Sequence, residues 1–180
     1  MFVAGQVTDA LSLTVLSPYY RGFARILSPH GNERVLDFGS GSGICSRHIA
    51  ARLQPNGGQL DCLDISYGWS KVIRKTLKRY RNVTYHLGRI TQLDLPESAY
   101  DAVVIHFVLH DIPTAERLGI LKALARRLKP GGRLLLREPQ GHGITPEELS
   151  QLPVAAGLRP VSLKAHKPAM MAVYDACFIR

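Results

Sequence analysis

From residue 34 onward, short apolar runs alternate with segments whose apolar residues recur at helical spacing. The runs predicted to be strands are Arg34 to Phe38, Gln59 to Leu63, Val83 to Leu87, Ala102 to Phe107 and Leu134 to Leu136. The run 102–107 is apolar enough for a central strand that is buried on both faces. This alternation predicts an α/β fold in which helices cover both faces of a parallel sheet.

The last part of the chain follows a different pattern. Thr145-Pro146-Glu147-Glu148 has the form of a capping box with proline at the first helical position, and Gly157 stands where a left-handed C-cap is expected. Beyond that helix, Val161 to Ala165 and Ala172 to Ile179 read as two strands. Because the segment between them is too short for a crossover helix, they are predicted to pair antiparallel.

Two predicted helices have features that bear on function. The helix after the second strand turns Trp69, Ile73, Leu77 and Tyr80 to one side, and its other side is basic from Lys71 to Arg81. The helix after the fourth strand is expected to be capped by Asp111 or Thr114 and to end before Pro130-Gly131-Gly132.

Composition favours one domain spanning residues 1–180, in which 1–30 form an N-terminal helical segment. The chain has 180 residues, of which 46% are hydrophobic, and its net charge of +9 would attract anionic ligands or surfaces. Its three cysteines form neither a disulfide framework nor a metal-ligand pattern, which predicts a reducing, cytoplasmic location. No apolar run approaches the roughly 20 residues of a transmembrane helix.

Residues with chemical potential follow the predicted strands. Gly39, Asp64, Gly88, His106 and Glu138 all come at strand ends. In an open parallel sheet, ligands bind in the crevice beyond these carboxyl ends, so one crevice is expected to collect the five residues.

The glycine-rich stretch 37–43 predicts a nucleotide-type ligand. Gly39, Gly41 and Gly43 allow a tight turn and close backbone approach at a helix N-terminus, and Asp64, 25 residues after Gly39, is placed to accept hydrogen bonds from a ribose diol. Dinucleotide sites share both features, but their third glycine or alanine is replaced here by Ile44. The acid at Asp37 suits a ligand that carries an ammonium group.

These residues, with Asp64-Ile65-Ser66 and with Tyr100-Asp101 leading into the fourth strand, resemble the class I S-adenosylmethionine-dependent methyltransferases from about residue 34 to 138. The resemblance implies a doubly wound, Rossmann-like sheet of seven strands in the order 3-2-1-4-5-7-6, mostly parallel with an antiparallel C-terminal strand. It also implies S-adenosyl-L-methionine as cofactor, with Asp37 on the methionine amino group and Asp64 on the ribose hydroxyls. The implied cofactor-binding residues are Asp37, Gly39, Ser40, Gly41, Gly43, Asp64, Ile65, Arg89, Ile90 and His106.

One position departs from the family. After the third strand the family usually has an acid that accepts from the adenine amino group, whereas this chain has Arg89, which has only donors. Backbone groups of Arg89 and Ile90 are then expected to contact adenine, with Asp94 as the alternative acid.

The stretch 107–113 resembles small-molecule O-methyltransferases in which the histidine of a His-Asp pair removes a hydroxyl proton. That resemblance makes His110 and Asp111 the candidate catalytic residues, and an imidazole suits proton transfer near neutral pH. No metal is expected, because His106, His110 and His142 with Glu138 match no common ligand spacing.

The predicted function is methyl transfer to a small-molecule, quinone or lipid acceptor. The chain lacks the motifs that methyltransferases use to grip a flipped base, so nucleic acid is not the favoured partner. No cap domain is evident, so a homodimer partner is one way to complete an open site. Two alternatives remain: a non-catalytic protein that binds RNA or a membrane through its basic helix, and an NAD-dependent oxidoreductase, which Ile44 disfavours.

Overall fold

The computed structural model describes residues 17–25, 31–167 and 171–180. Its helices are α1 (Ser17–Ala24), α2 (Ile44–Leu53), α3 (Tyr67–Thr76), α4 (Thr114–Arg127) and α5 (Pro146–Ala155). Its strands are β1 (Arg34–Phe38), β2 (Gln59–Asp64), β3 (Val83–Leu87), β4 (Tyr100–His106), β5 (Leu128–Pro139), β6 (Arg159–His166) and β7 (Val173–Ile179). The predicted N-terminal segment 1–30 lies outside the described residues except for 17–25.

The seven strands form one sheet in the order β3-β2-β1-β4-β5-β7-β6. Strands β1 to β5 pair in parallel, and β7 runs antiparallel between β5 and β6. The predicted fold class, strand order and terminal antiparallel pair are therefore confirmed.

Alternate residues of each strand feed two separate cores. Val35, Cys62 and Val104 pack on one face against α1, α2 and α3 through Phe23, Ile49 and Ile73. Leu36, Leu63, Ile105 and Leu134 pack on the other face, where Leu121 of α4 and Leu149 of α5 cover them. This period of two places the helices on both faces and leaves the carboxyl ends of the parallel strands open.

The helix signals near residue 145 are confirmed. The Thr145 hydroxyl accepts from the Glu148 amide at 3.1 Å, and the Glu148 carboxylate accepts from the Thr145 amide at 3.1 Å. Gly157, just beyond α5, has φ +90°. These reciprocal bonds satisfy amides that a helix N-terminus otherwise leaves without partners.

Three predicted boundaries are corrected. Strand β4 runs from Tyr100 to His106 rather than from Ala102 to Phe107, and Phe107 has left-handed φ +61°. Helix α4 follows Pro113 and has no side-chain cap, so neither Asp111 nor Thr114 caps it. The 130–132 turn lies inside β5, where the Gly131 amide donates to the Arg180 carbonyl and the Arg180 amide donates to the Gly132 carbonyl.

The basic helix is shorter than predicted. Helix α3 ends at Thr76, so Lys78, Arg79 and Arg81 lie in the turn before β3. Trp69 is 36% exposed, so it is not part of the buried stripe. Its ring instead belongs to the cavity described below.

Candidate active site

A cavity of about 900 Å³ opens at the carboxyl ends of β1, β2 and β4. Its walls come from the glycine loop, the residues after β2, β3 and β4, the start of α4, and Tyr20 of α1. Of the five strand-end residues expected in one crevice, Gly39, Asp64, Gly88 and His106 line the cavity. Glu138 is not among the lining residues. The volume lies in the range typical of cofactor and ligand sites.

The glycine loop is held against β2 by backbone hydrogen bonds. The amides of Gly39 and Ser40 donate to the Leu63 carbonyl at 2.8 and 3.0 Å. Gly39 has φ +74°, and a Cβ there would collide with the Val108 side chain. Gly41 lines the cavity, and a Cβ on it would meet only the Gly39 carbonyl, at 4.0 Å.

Gly43 has another role than the one predicted. It does not line the cavity, and a Cβ at this residue would lie 2.6 Å from Cγ1 of Ile73. Gly43 therefore allows α2 to begin close to α3. Of the three glycines predicted to bind the cofactor, the structure therefore places Gly39 and Gly41 on the cavity wall and Gly43 away from it.

Asp37 is the buried carboxylate of the cavity. It is 2% exposed, and its Oδ2 accepts a hydrogen bond from the Ser46 hydroxyl at 2.6 Å. Burial raises the pKa of Asp37 to about 6, the negative charge of Asp64 adds to the rise, and the Ser46 hydrogen bond opposes it. A cation at this end of the cavity would remove much of the cost of ionising Asp37.

Asp64 is oriented by two backbone amides. Its Oδ2 accepts from Gly41 and its Oδ1 from Ser66, both at 2.8 Å. The side-chain cap of α3 is the Ser66 hydroxyl, which accepts from the Trp69 amide at 3.3 Å, so Asp64 is not simply a helix cap. Each carboxylate oxygen can accept a further hydrogen bond from a ligand in the cavity.

The predicted adenine-binding residues lie around the next part of the cavity. Arg89, Ile90 and the 67% exposed Ile65 all line it. The Arg89 guanidinium donates to Glu116 of α4 at 2.9 Å. Asp94 is not a lining residue, so the structure does not support it as a substitute for the missing acid.

Aromatic rings form the part of the cavity that lies where β4 ends. The His106 ring lies 5.1 Å from the Tyr20 ring and 4.3 Å from the Phe107 ring, centroid to centroid. Burial first, and then the positive charge of Arg137, lower the pKa of His106 to about 3. His106 is therefore neutral at physiological pH, so none of the Tyr20, His106 and Phe107 rings carries a charge.

The two predicted catalytic residues, His110 and Asp111, lie at different positions relative to the cavity. Asp111 lines the cavity, whereas His110 does not. The Nδ1 atom of His110 lies 2.7 Å from Glu138 Oε2, and its Nε2 atom lies 3.4 Å from Asp111 Oδ1. His110 is thus positioned between a buried carboxylate and an exposed one.

Glu138 organises the loop after β4. Its fully buried carboxylate accepts from the amides of Val108, Leu109 and His110 at 3.0, 2.8 and 3.4 Å. Sequence reasoning placed Glu138 at a strand end but missed this role. It also missed Ser46, whose contact with Asp37 no local pattern signals.

Two further features concern metals and membranes. Within residues 17–25, 31–167 and 171–180, no three His, Cys, Asp or Glu side chains are grouped so as to hold a metal ion. None of the helices in that part of the chain is long and apolar enough to cross a membrane.

Comparison with known proteins agrees with the fold and identifies the family. Residues 35–132 match a family model described as a methyltransferase domain. Over 118 residues the chain is 34% identical to a demethylmenaquinone methyltransferase from Tropheryma whipplei, a match covering 66% of this chain and 46% of the relative. The chain therefore spans less than half the length of that curated relative.

Solved structures share the architecture at low sequence identity. A S-adenosylmethionine-dependent methyltransferase from Mesorhizobium loti superposes with a TM-score of 0.73 at 14% identity, covering 88% of this chain and 96% of that one. A 1,6-didemethyltoxoflavin-N1-methyltransferase from Burkholderia thailandensis, solved with its substrate and S-adenosylhomocysteine, superposes with a TM-score of 0.75 at 20% identity, covering 99% and 85%. These likenesses show the fold.

Proposed function

Since the chain belongs to the class I S-adenosylmethionine-dependent methyltransferases, we propose that it transfers a methyl group from S-adenosylmethionine to a small, planar, uncharged acceptor of the quinol type. The observation that carries the proposal is the division of the cavity wall: two carboxylates lie where β1 and β2 end, and an aromatic, neutral surface lies where β4 ends.

The carboxylate part of the cavity fits the cofactor. Asp37 would hold the amino group of the methionine part, because an ammonium ion compensates a carboxylate that is buried beside Ser46. Asp64 would accept from the ribose hydroxyls with its amide-oriented oxygens. Gly39 and Gly41 leave room for close approach, and Ile65 and Ile90 supply apolar contacts for the adenine ring.

The aromatic part of the cavity fits the acceptor. Tyr20, His106 and Phe107 present ring surfaces, and a flat acceptor gains most from offset or edge contacts with such rings. A neutral His106 costs an apolar acceptor less desolvation than a charged one. The name of the relative from T. whipplei, a demethylmenaquinone methyltransferase, supports the same class of acceptor.

When bound, the cofactor supplies an electrophilic methyl group on a sulfonium. The chain would orient the acceptor toward that methyl group and exclude water, an effect of proximity worth several kcal/mol. The carbon–sulfur bond breaks with its electron pair staying on sulfur, the acceptor atom forms the new bond to carbon, and the acceptor loses a proton. Asp111 would receive that proton at the cavity wall. Its carboxylate contacts His110, which in turn contacts Glu138.

Calorimetry tests the cofactor part of the proposal. The protein is titrated with S-adenosylmethionine, S-adenosylhomocysteine and NAD, and the first two are expected to bind. Asp37→Asn and Asp64→Asn should weaken binding, while Asp94→Asn, an exposed acid outside the cavity, serves as the matched control. Affinity for NAD alone would reject the proposal.

Methyl transfer tests the acceptor part. The protein is incubated with methyl-labelled S-adenosylmethionine and reduced demethylmenaquinone, and label is expected in the quinol. A planar but anionic analogue is the control and should accept little label, because Tyr20, His106 and Phe107 offer no positive charge and the Asp111 carboxylate would repel it. Equal transfer to both would contradict the proposed acceptor class.

We propose a cytoplasmic location as well. All three cysteines are free, and Cys45 and Cys62 are buried, as suits a reducing compartment. Fractionation of cells should recover the protein from the cytoplasm or from the inner surface of its membrane.

A further inference from the structure

One face of the molecule is basic, and the helices described on it carry no acidic residue. The helices on this face, α1, α2 and α3, contain no Asp or Glu. Between residues 38 and 93 the only acids are Asp61 and Asp64. Asp61 is buried and paired with Arg34 and His86, and Asp64 is held by backbone amides.

The cations of this face are exposed. We define the basic face by six side chains, which all reach solvent: Lys71, Arg74, Lys75, Lys78, Arg79 and Arg81. In the described part of the chain, none of the six lies within ion-pair distance of a carboxylate. On the opposite face, by contrast, Glu116 and Glu148 of α4 and α5 pair with arginines.

Positive charges from neighbouring elements add to the basic face. The pKa of His48 is lowered to about 4, mainly by burial and further by the positive charges of Arg47, Arg21 and Arg79. Since Arg21 belongs to α1 and Arg79 follows α3, cations from separate elements converge on one surface. Such a surface is complementary to a polyanion.

An apolar rim borders the basic face. We define the rim as Ile65, Tyr67, Trp69 and Leu87, whose exposed fractions are 67%, 66%, 36% and 46%. Ile65 and Trp69 also line the large cavity. The rim therefore lies between the cavity mouth and the cations.

We propose that the basic face and the apolar rim together dock the protein on the surface of an anionic lipid bilayer. Lysine and arginine near such a surface are attracted to its headgroups, and tyrosine and tryptophan favour the interface between headgroup and acyl chain. Exposed aliphatic side chains such as Ile65 and Leu87 gain from burial there.

The tyrosines of this region favour lipid over RNA. Lys71 lies 4.5 Å from the Tyr67 ring centroid, Arg74 lies 4.5 Å from that of Tyr85, and Arg79 lies 5.0 Å from that of Tyr80. Proteins that bind single-stranded nucleic acid offer open aromatic faces on which bases stack. Here a cation already covers each ring.

With the basic face and the apolar rim on the bilayer surface, the mouth of the cavity would face the bilayer. An apolar acceptor could then enter the cavity without crossing water. This consequence rests on the proposed function, whereas the docking itself does not require any activity.

Vesicle binding tests the proposal with matched charge reversals. The face variant carries Lys75→Glu, Lys78→Glu and Arg81→Glu. The control variant carries Lys122→Glu, Arg159→Glu and Lys164→Glu, which are exposed on other elements. Each triple replaces three positive by three negative charges and lowers the net charge from +9 to +3, that is 9 − 6.

The wild type should sediment with vesicles containing one third phosphatidylglycerol, and not with vesicles of phosphatidylcholine alone. The face variant should bind the anionic vesicles about a hundredfold more weakly, and the control variant should stay within about threefold of the wild type. Equal losses in both variants, or equal binding to both kinds of vesicle, would overturn the proposal. Unchanged binding of S-adenosylhomocysteine, followed by Trp69 fluorescence, separates this result from misfolding or a failure of the proposed function.

Two further measurements address the rim and the competing ligand. Tyr67→Ser with Leu87→Ser should lower vesicle binding severalfold at high salt, whereas Val161→Ser with Leu163→Ser, equally exposed apolar residues of β6, should not. Tighter binding of polyuridine than of anionic vesicles at the same salt concentration would assign the face to nucleic acid instead.

Discussion

Replacing Asp37 with asparagine should stabilise the protein without ligand while weakening its cofactor binding. The Asp37 carboxyl has a pKa of about 6 in the folded chain against 3.8 ordinarily. The difference of about 2 units corresponds to about 3 kcal/mol at about 1.4 kcal/mol per unit. Asparagine keeps an oxygen that can accept from Ser46, so the variant removes the charge and keeps the hydrogen bond.

The sign of this effect depends on pH. Between about pH 4 and 6 the folded protein holds a proton that the unfolded chain has released, so the free energy of unfolding is greatest below about pH 4 and falls by this amount as pH rises through 6, where Asp37 must ionise in the folded protein. Asp37→Asn should therefore raise the melting temperature at pH 7.5 by up to about 6–12 °C, which is 2–4 °C for each kcal/mol in a domain of this size. At pH 4 the shift should be close to zero.

Thermal unfolding of the ligand-free protein, monitored by circular dichroism at both pH values, measures the shift. Asp94→Asn, which removes an exposed charge, is the control and should change little at either pH. A lower melting temperature for Asp37→Asn at pH 7.5 would refute the reasoning, because a carboxylate that costs free energy to ionise cannot stabilise by being present. Cofactor affinity of the wild type should fall below pH 6, up to tenfold per unit, and a flat profile would contradict the role of Asp37.

The remaining predictions concern other parts of the site and its support. Asp64→Asn should weaken S-adenosylmethionine binding at least tenfold, about 1.4 kcal/mol by calorimetry, and an affinity equal to the wild type would remove Asp64 as the ribose ligand. His110→Ala should lower turnover more than cofactor affinity, and an unaltered rate would exclude it from proton transfer. Arg137→Met should destabilise the fold by about 1.5–3 kcal/mol in urea, because Asp175 loses both hydrogen bonds from the guanidinium and keeps only His166 as a partner; a loss under 1 kcal/mol would show that the pair is dispensable.

The strands were predictable because their signals are local, whereas their order in the sheet was implied by the resemblance to the family. Each strand is a short apolar run, and the turn after β1 requires glycines whose spacing is visible in the chain. The antiparallel pairing of the last two strands was predicted from the shortness of the segment between them, which contains Pro168. These features depend on neighbours in sequence, so residue order is enough to indicate them.

The wrong predictions concern segments whose structure depends on contacts with residues far away in the sequence. Pro130-Gly131-Gly132 is typical of a turn between a helix and a strand. In the structure, the backbone of Arg180 pairs with this segment, and β5 begins at Leu128. Trp69 has the spacing of a core residue but faces the cavity, and Phe107 leaves β4 because the following amides turn toward Glu138. No local pattern contains these contacts.

Part of the cavity lining was predicted from the sequence, whereas the contacts that hold it in place were not. Asp37, Asp64, Gly39 and Gly41 line the cavity as expected and Gly43 does not, and the Ser46 hydroxyl that orients Asp37 lies on another element, α2. Arg89 was recognised as unusual, and only the structure shows its guanidinium turned to Glu116. Supporting contacts of this kind depend on how elements pack, which a single sequence does not state.

The anchoring of the loop after β4 by Glu138 has a mechanical consequence. Val108 is held by that carboxylate through its amide and packs against Gly39 through its side chain, so the loops that follow β1 and β4 along the cavity touch at one residue. A ligand that stiffens the first loop therefore also stiffens the second. Donor and acceptor should then each improve the other's affinity by the same factor, since coupling between two binding events is reciprocal.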